Sequence, residues 1–158
     1  MKKIASFEVN HDNLLPGVYV SRVDDIKGVK ITTFDLRFTK PNIEPALENA
    51  PIHAIEHLAA TYLRNDEKWS DSVVYFGPMG CRTGFYLILA GQLKSADILS
   101  LLKDLCEFII GFDEEIPGAS SRDCGNFRDM NLETGKYHVR KYLHMLENIS
   151  EINMVYPD

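Results

Sequence analysis

GVYVSRVDDIKGVKITTFDLRF, residues 17–38, holds two runs rich in β-branched and aromatic residues, 17–23 and 29–38, with Asp24, Asp25 and Gly28 between them. Two such runs around a turn read as a β-hairpin, so the first strand pair is expected to be antiparallel. On the second strand Ile31, Thr33, Asp35 and Arg37 share one face, and Thr32, Phe34, Leu36 and Phe38 share the other. Arg37 therefore points away from the more apolar side. Downstream, KPNIEPALENAP at 40–51 carries three prolines and reads as a loop, with Pro51 placed to start a helix over 52–64. SVVYFGPM at 72–79 and GFYLILAG at 84–91 read as two more strands, joined by a turn that holds Cys81. SADILSLLKDLCEFIIGF at 95–112 spaces Ile98, Leu101, Leu102, Leu105 and Ile109 as on one helix face, behind a Ser95 cap. A polar segment at 113–131 carries Cys124, and Asn131 can cap a last helix running to about Ile149. The order of elements predicts an α+β fold, a mostly antiparallel sheet packed against helices.

A chain of 158 residues with 45% hydrophobic content has the size of one domain, expected to span 1–158. Its 17 basic and 23 acidic residues give a net charge of -6, and the basic ones are scattered. That pattern argues against nucleic acid and against an anionic membrane surface as partners. The longest apolar runs, such as FYLILAG at 85–91, fall far short of the roughly 20 residues of a membrane span. Met1-Lys2-Lys3 is followed at once by Ser6, Glu8 and Asn10, with no apolar signal-peptide core, so a cytoplasmic protein is expected. The three cysteines, Cys81, Cys106 and Cys124, are an odd count that cannot be fully paired within one chain. In a reducing compartment they are thiols, available to a metal or to chemistry.

IHAIEHL, residues 52–58, places His53 and His57 one helical turn apart with Glu56 beside them. Two imidazoles on one face can share a metal ion, and the H-x-x-E-H order leaves the glutamate free as an acid or base. The bland alternative is a half-buried helix with two polar histidines. A third ligand separates the two readings. Cys106 sits among Leu102, Leu105 and Ile109 and reads as a small core residue. Cys124 lies in the polar loop SSRDCGNFRD, where an unused thiol is a liability. Two neutral imidazoles and a thiolate suit zinc or iron(II) and leave one position open. Cys81, in GPMGCRTGF, has glycines that allow close approach of a ligand and an adjacent Arg82 that favours the thiolate. A turn cysteine tucked under the sheet is an equally good reading of that stretch taken alone.

SFEVNH (6–11), FDLRF (34–38), KPN (40–42), IHAIEHL (52–58), GPMGCRTGFY (77–86), IPG (116–118) and CGNFRD (124–129) run in order along nearly the whole chain. Together they resemble the S-ribosylhomocysteine lyase family, LuxS. The resemblance implies a homodimeric α+β enzyme that splits S-ribosylhomocysteine into homocysteine and 4,5-dihydroxy-2,3-pentanedione, the precursor of a quorum-sensing autoinducer. It implies one divalent metal per chain, iron(II) natively with zinc or cobalt as substitutes, held by residues matching His53, His57 and Cys124. Residues matching Cys81 and Glu56 are its acid/base pair, and those matching Ser6, His11 and Arg37 hold the ribose. Arg64, seven residues after His57 on nearly the same helix face, can extend toward the substrate.

The chemistry is consistent with that assignment. Moving a sugar carbonyl along its chain by successive enolisations needs no hydride carrier, and the sulfur leaves by β-elimination once the carbonyl stands two carbons away. Such steps call for a Lewis acid and two proton-transfer groups. The chain departs from the family pattern at Tyr75-Phe76-Gly77, where Asp-x-Ser is common, and at Thr39, where cysteine is usual. If the missing acid holds the homocysteine amino group, another group takes its place here. Two alternatives share part of the pattern. An inverted-zincin metallopeptidase also uses H-x-x-E-H, but it gives Cys81 no task. A non-catalytic metal-binding module would close the site with four protein ligands, and only three strong ones are found.

Overall fold

In the computed structural model, which describes residues 8–158, the hairpin turns at Lys27-Gly28, with φ of 52° and 87°. Two consecutive residues at positive φ make the tight turn whose twist matches its strands, and the Asp25 carboxylate accepts from Gly28 N–H at 2.8 Å. Strand β1 (Gly17–Ile26) therefore runs past Asp24 and Asp25, which lie inside the ladder against β2 (Val29–Arg37) rather than in the turn expected for them. β3 (Val73–Pro78) and β4 (Gly84–Ala90) complete an antiparallel sheet of order β1-β2-β4-β3.

Phe34 and Leu36 of β2, Phe85, Leu87 and Leu89 of β4 and Phe76 of β3 are buried on one face of this sheet. Three helices cover that face. Helix α1 (Asn49–Asn65) brings Ile52, Ile55, Leu58 and Leu63, α2 (Leu99–Gly111) brings Leu101, Leu102, Leu105, Cys106 and Ile109, and α3 (Leu132–Glu147) brings Val139, Tyr142 and Leu146. α1 begins three residues before its expected start. Pro51 thus sits third in the helix, still within the first turn, where its missing N–H has no helical acceptor to lose. Ser95 is no cap: it opens a short 3₁₀ turn and is buried, while Asp97 accepts from Lys94 N–H at 2.7 Å. Asn131 does cap α3, accepting from Thr134 N–H at 3.0 Å. Among the described residues no helix is long and apolar enough to cross a membrane.

One end of the second face of the sheet is also covered. Asp35 and Arg37 are 2% and 3% exposed, beneath a C-terminal segment whose Tyr156 ring stacks on Tyr19 at 4.8 Å. A charged pair on the less apolar face of a strand would ordinarily meet water. Here the chain end turns that face into the floor of a cavity.

Candidate functional site

α1 presents its apolar stripe to the sheet and to the other helices, and this leaves His53, Glu56 and His57 half-buried on its flank. The loop 113–131 folds back over that flank. His57 Nδ1 lies 2.7 Å from the Pro117 carbonyl and His53 Nδ1 lies 3.0 Å from the Asp129 carbonyl. A carbonyl only accepts, so both Nδ1 atoms carry the proton and both Nε2 atoms present a lone pair. Cys124 Sγ stands 3.4 Å from His53 Nε2, and the ligand atoms of His53, His57 and Cys124 all lie within 4.8 Å of one another. A tetrahedral zinc-type ion spaces imidazole nitrogen and thiolate sulfur by about 3.5 Å. The His53–Cys124 spacing matches that distance, and the three donors together can hold one such ion. Gly118, at φ 73°, allows the backbone turn that aims the Pro117 carbonyl at His57; a Cβ there would come within 3.2 Å of Nδ1.

Glu56 Oε2 lies 3.8 Å from His57 Nε2. A cavity of about 360 Å³ is lined by His53, Glu56, Tyr75, Pro78 and Asp129, among others. Tyr75 lies folded across Gly77, whose absent Cβ makes room for the ring. An aromatic wall thus occupies the place where the sequence departs from Asp-x-Ser.

Cys81 belongs to a different cavity of about 310 Å³, shared with His11, Asp35, Arg37, Tyr86 and Tyr156. Its thiol lies 3.1 Å from Thr83 Oγ1 and 3.8 Å from Arg37 Nη1, and Arg37 Nη1 donates to Thr83 Oγ1 at 2.6 Å. Burial pushes the Cys81 thiol up, but hydrogen bonding to Thr83 and the Arg37 guanidinium outweigh it and leave the thiol below its ordinary value. Arg37 is fixed in turn by a bidentate ion pair with Asp35. Consecutive residues Pro78 and Met79 line the two cavities, one each, so the end of β3 separates them.

The structure therefore gathers the expected site residues into two groups, His53, His57, Cys124 and Glu56 in one and Cys81, Arg37 and His11 in the other. Ser6 lies outside the described residues. Arg64 joins neither cavity; its guanidinium donates to the carbonyls of Val73 and Val74 at 3.4 and 3.2 Å. The sequence reading missed Asp35, Thr83 and Tyr156. Asp35 had a signal, since it shares a strand face with Arg37 two residues away, and Thr83 lies two residues from Cys81. Tyr156 had none, because its partner is 121 positions distant. Cys106 is a core residue as expected, buried in α2.

The sequence model of S-ribosylhomocysteinase (LuxS) matches residues 4–153. A protein named S-ribosylhomocysteine lyase from Clostridium beijerinckii is 58% identical over 159 residues, covering all of both chains. One of the same name from Finegoldia magna is 56% identical over 158 residues, again covering all of both. A third, from Borrelia garinii subsp. bavariensis, is 55% identical and covers 99% of this chain and all of its own. With likeness of this degree from end to end, the chain belongs to the S-ribosylhomocysteinase (LuxS) family.

Proposed function

We propose that this chain is an S-ribosylhomocysteine lyase, a carbon–sulfur lyase that releases homocysteine and 4,5-dihydroxy-2,3-pentanedione, with the whole chain acting as one domain. Family membership supports the reaction. The observation that carries the metal dependence is the convergence of His53, His57 and Cys124 with both Nε2 lone pairs turned to a common point. A divalent ion there, iron(II) as the native one and zinc or cobalt as substitutes, supplies Lewis-acid stabilisation to negative charge developing on a substrate oxygen.

The remaining work falls to side chains. Glu56, 3.8 Å from a ligand nitrogen, is placed to take or return a proton on a carbon or oxygen next to the reacting carbonyl. Cys81, held toward the thiolate by Thr83 and Arg37, is the second proton carrier. Removal of a proton beside the carbonyl and its return one carbon along moves the carbonyl; a last removal expels the sulfur, which leaves as the thiol of homocysteine. His11 and Arg37, with Ser6, are assigned to the ribose hydroxyls. Tyr75, which lines the cavity beside His53 and Glu56, is assigned to the substrate's amino-acid end.

The active form is a homodimer in this reading. Within one chain Cys81 and Glu56 line separate cavities, and a second copy apposing the two supplies both proton carriers to one substrate. Three free thiols, at least two of them with work to do, suit the reducing cytoplasm. The test is anaerobic incubation of the iron(II)-loaded protein with S-ribosylhomocysteine, following free homocysteine with a thiol reagent after protein removal. Release that vanishes in Glu56→Gln and in Cys81→Ala supports the reading; no release from protein holding one metal ion per chain rejects it.

A further inference from the structure

We propose that Tyr156 is a positioning residue: by donating to Asp35 while stacking on Tyr19, it fixes the buried Asp35–Arg37 pair in the orientation that delivers the guanidinium to Thr83 and Cys81. The contacts run without a gap. The Tyr156 hydroxyl donates to Asp35 Oδ2 at 3.0 Å, Asp35 pairs with Arg37 through both carboxylate oxygens, and Arg37 Nη1 reaches Thr83 at 2.6 Å and Cys81 at 3.8 Å. The Tyr156 ring lies parallel to that of Tyr19 within 8°, and Tyr19 is fully buried, so the hydroxyl is held on a rigid base. Tyr156 also lines the Cys81 cavity itself.

Asp35, Arg37 and Thr83 are each less than a tenth exposed. In such surroundings hydrogen bonds polarise one another, and a lost partner is poorly replaced by water. The bidentate pair orients the carboxylate relative to the guanidinium, and the tyrosine ties the pair as a unit to the Tyr19 stack. The donated bond also draws negative charge off Asp35. More of the arginine's positive charge is then left unmatched for the thiolate 3.8 Å away.

Other groups face the same space: His11 from the N-terminal loop, Tyr86 from β4 and Arg22 from β1, the last tied to Asp24 at 2.7 Å. All are unchanged by a substitution at 156 and act as a common background. The inference deepens the role proposed for Cys81, yet its readout is the thiol itself and does not require the lyase reaction.

The experiment is site-resolved alkylation of the metal-loaded full chain by iodoacetamide between about pH 5 and 9, reading the Cys81 peptide by mass spectrometry in the parent, Tyr156→Phe and Tyr156→Ala. Tyr156→Phe keeps the stack and removes only the hydroxyl, with its bonds to Asp35 and Ser21. Its Cys81 midpoint is expected to rise by about half a pH unit, seen as roughly threefold slower alkylation below the midpoint, and Tyr156→Ala is expected to shift it at least as far. An unmoved or lowered midpoint in the phenylalanine variant overturns the inference, and so does a shift confined to the alanine variant, which would show packing alone. If the midpoint rises while the parent releases no homocysteine, Tyr156 keeps its role and the lyase reading is the one that fails.

Discussion

His57 shows how much of this site is made by groups other than the reacting ones. Its Nδ1 proton is held by the Pro117 carbonyl at 2.7 Å, and Gly118, with a φ of 73° and no Cβ, leaves room for that approach. Gly118→Ala combines left-handed strain with a methyl group 3.2 Å from the ring nitrogen. Metal affinity is expected to fall about 10- to 100-fold, the usual cost of losing an outer partner of a ligating histidine, as checked by competition with a chromophoric chelator. The two reactive cysteines separate by the same logic. Cys124→Ala should lose both metal and turnover, whereas Cys81→Ala should keep one metal per chain and lose about 10²- to 10⁴-fold in turnover. Elemental analysis beside the homocysteine assay decides this, and equal metal loss in both variants contradicts the assigned roles. Cys106 is a thiol of another kind. Burial in α2 pushes it up to about 12 from an ordinary 9.0. Below pH 9 the folded and unfolded chains both keep that proton, so its contribution to stability is complete. As pH rises from about 9 toward 12 the unfolded chain gives the proton up first, and stability falls by at most about 1.4 kcal/mol per pH unit. Denaturant midpoints of the parent and Cys106→Ala compared across that window should converge as pH rises; parallel curves would mean that the thiol is not withheld from solvent.

At the scale of elements, α1 and the loop 113–131 together carry His53, His57 and Cys124, the candidate metal ligands. The loop runs straight into α3, and Asn131 N–H donates to the Ala50 carbonyl at the start of α1, 3.0 Å away. α3 comes close to α1 because Gly135 faces it, with a virtual Cβ 3.4 Å from Ile55 and 3.5 Å from the Pro51 carbonyl. Gly135→Leu has no space without moving one helix off the other. Overpacking of this kind costs about 1–3 kcal/mol, read from urea unfolding. Weaker metal binding should accompany it, since Cys124 and the two histidines sit on the parts being separated. A loss of stability with unchanged metal affinity would show that the loop is held by its own contacts. Pro51 made α1 legible in sequence, helical spacing made α2 so and the Asn131 cap α3; glycine at 135, with no side chain to enter a pattern, gave no such signal.

For the whole molecule, the two cavities of one chain are the central fact. Sedimentation should give a dimer at assay concentrations. If two copies build one site from the His53 side of one chain and the Cys81 side of the other, then mixing inactive Cys81→Ala with inactive Cys124→Ala and allowing exchange restores activity. In such a heterodimer one site carries both lesions and the other neither, so recovery up to about a quarter of the parent value is expected from random pairing. No recovery, with exchange confirmed by mass spectrometry, places each site within one chain. The chain's own sequence determined the hairpin, the helices and the donor set, because alternation along β2, the spacing of His53 and His57 and the composition of the Cys124 loop are local properties that neighbouring residues decide. The tertiary structure alone decided that Asp35 and Arg37 are buried, that Pro117 and Asp129 fix the histidine tautomers, and that Tyr156 reaches Asp35. Those contacts join residues dozens of positions apart, and no periodicity in a linear chain records which distant segment will fold over a given face.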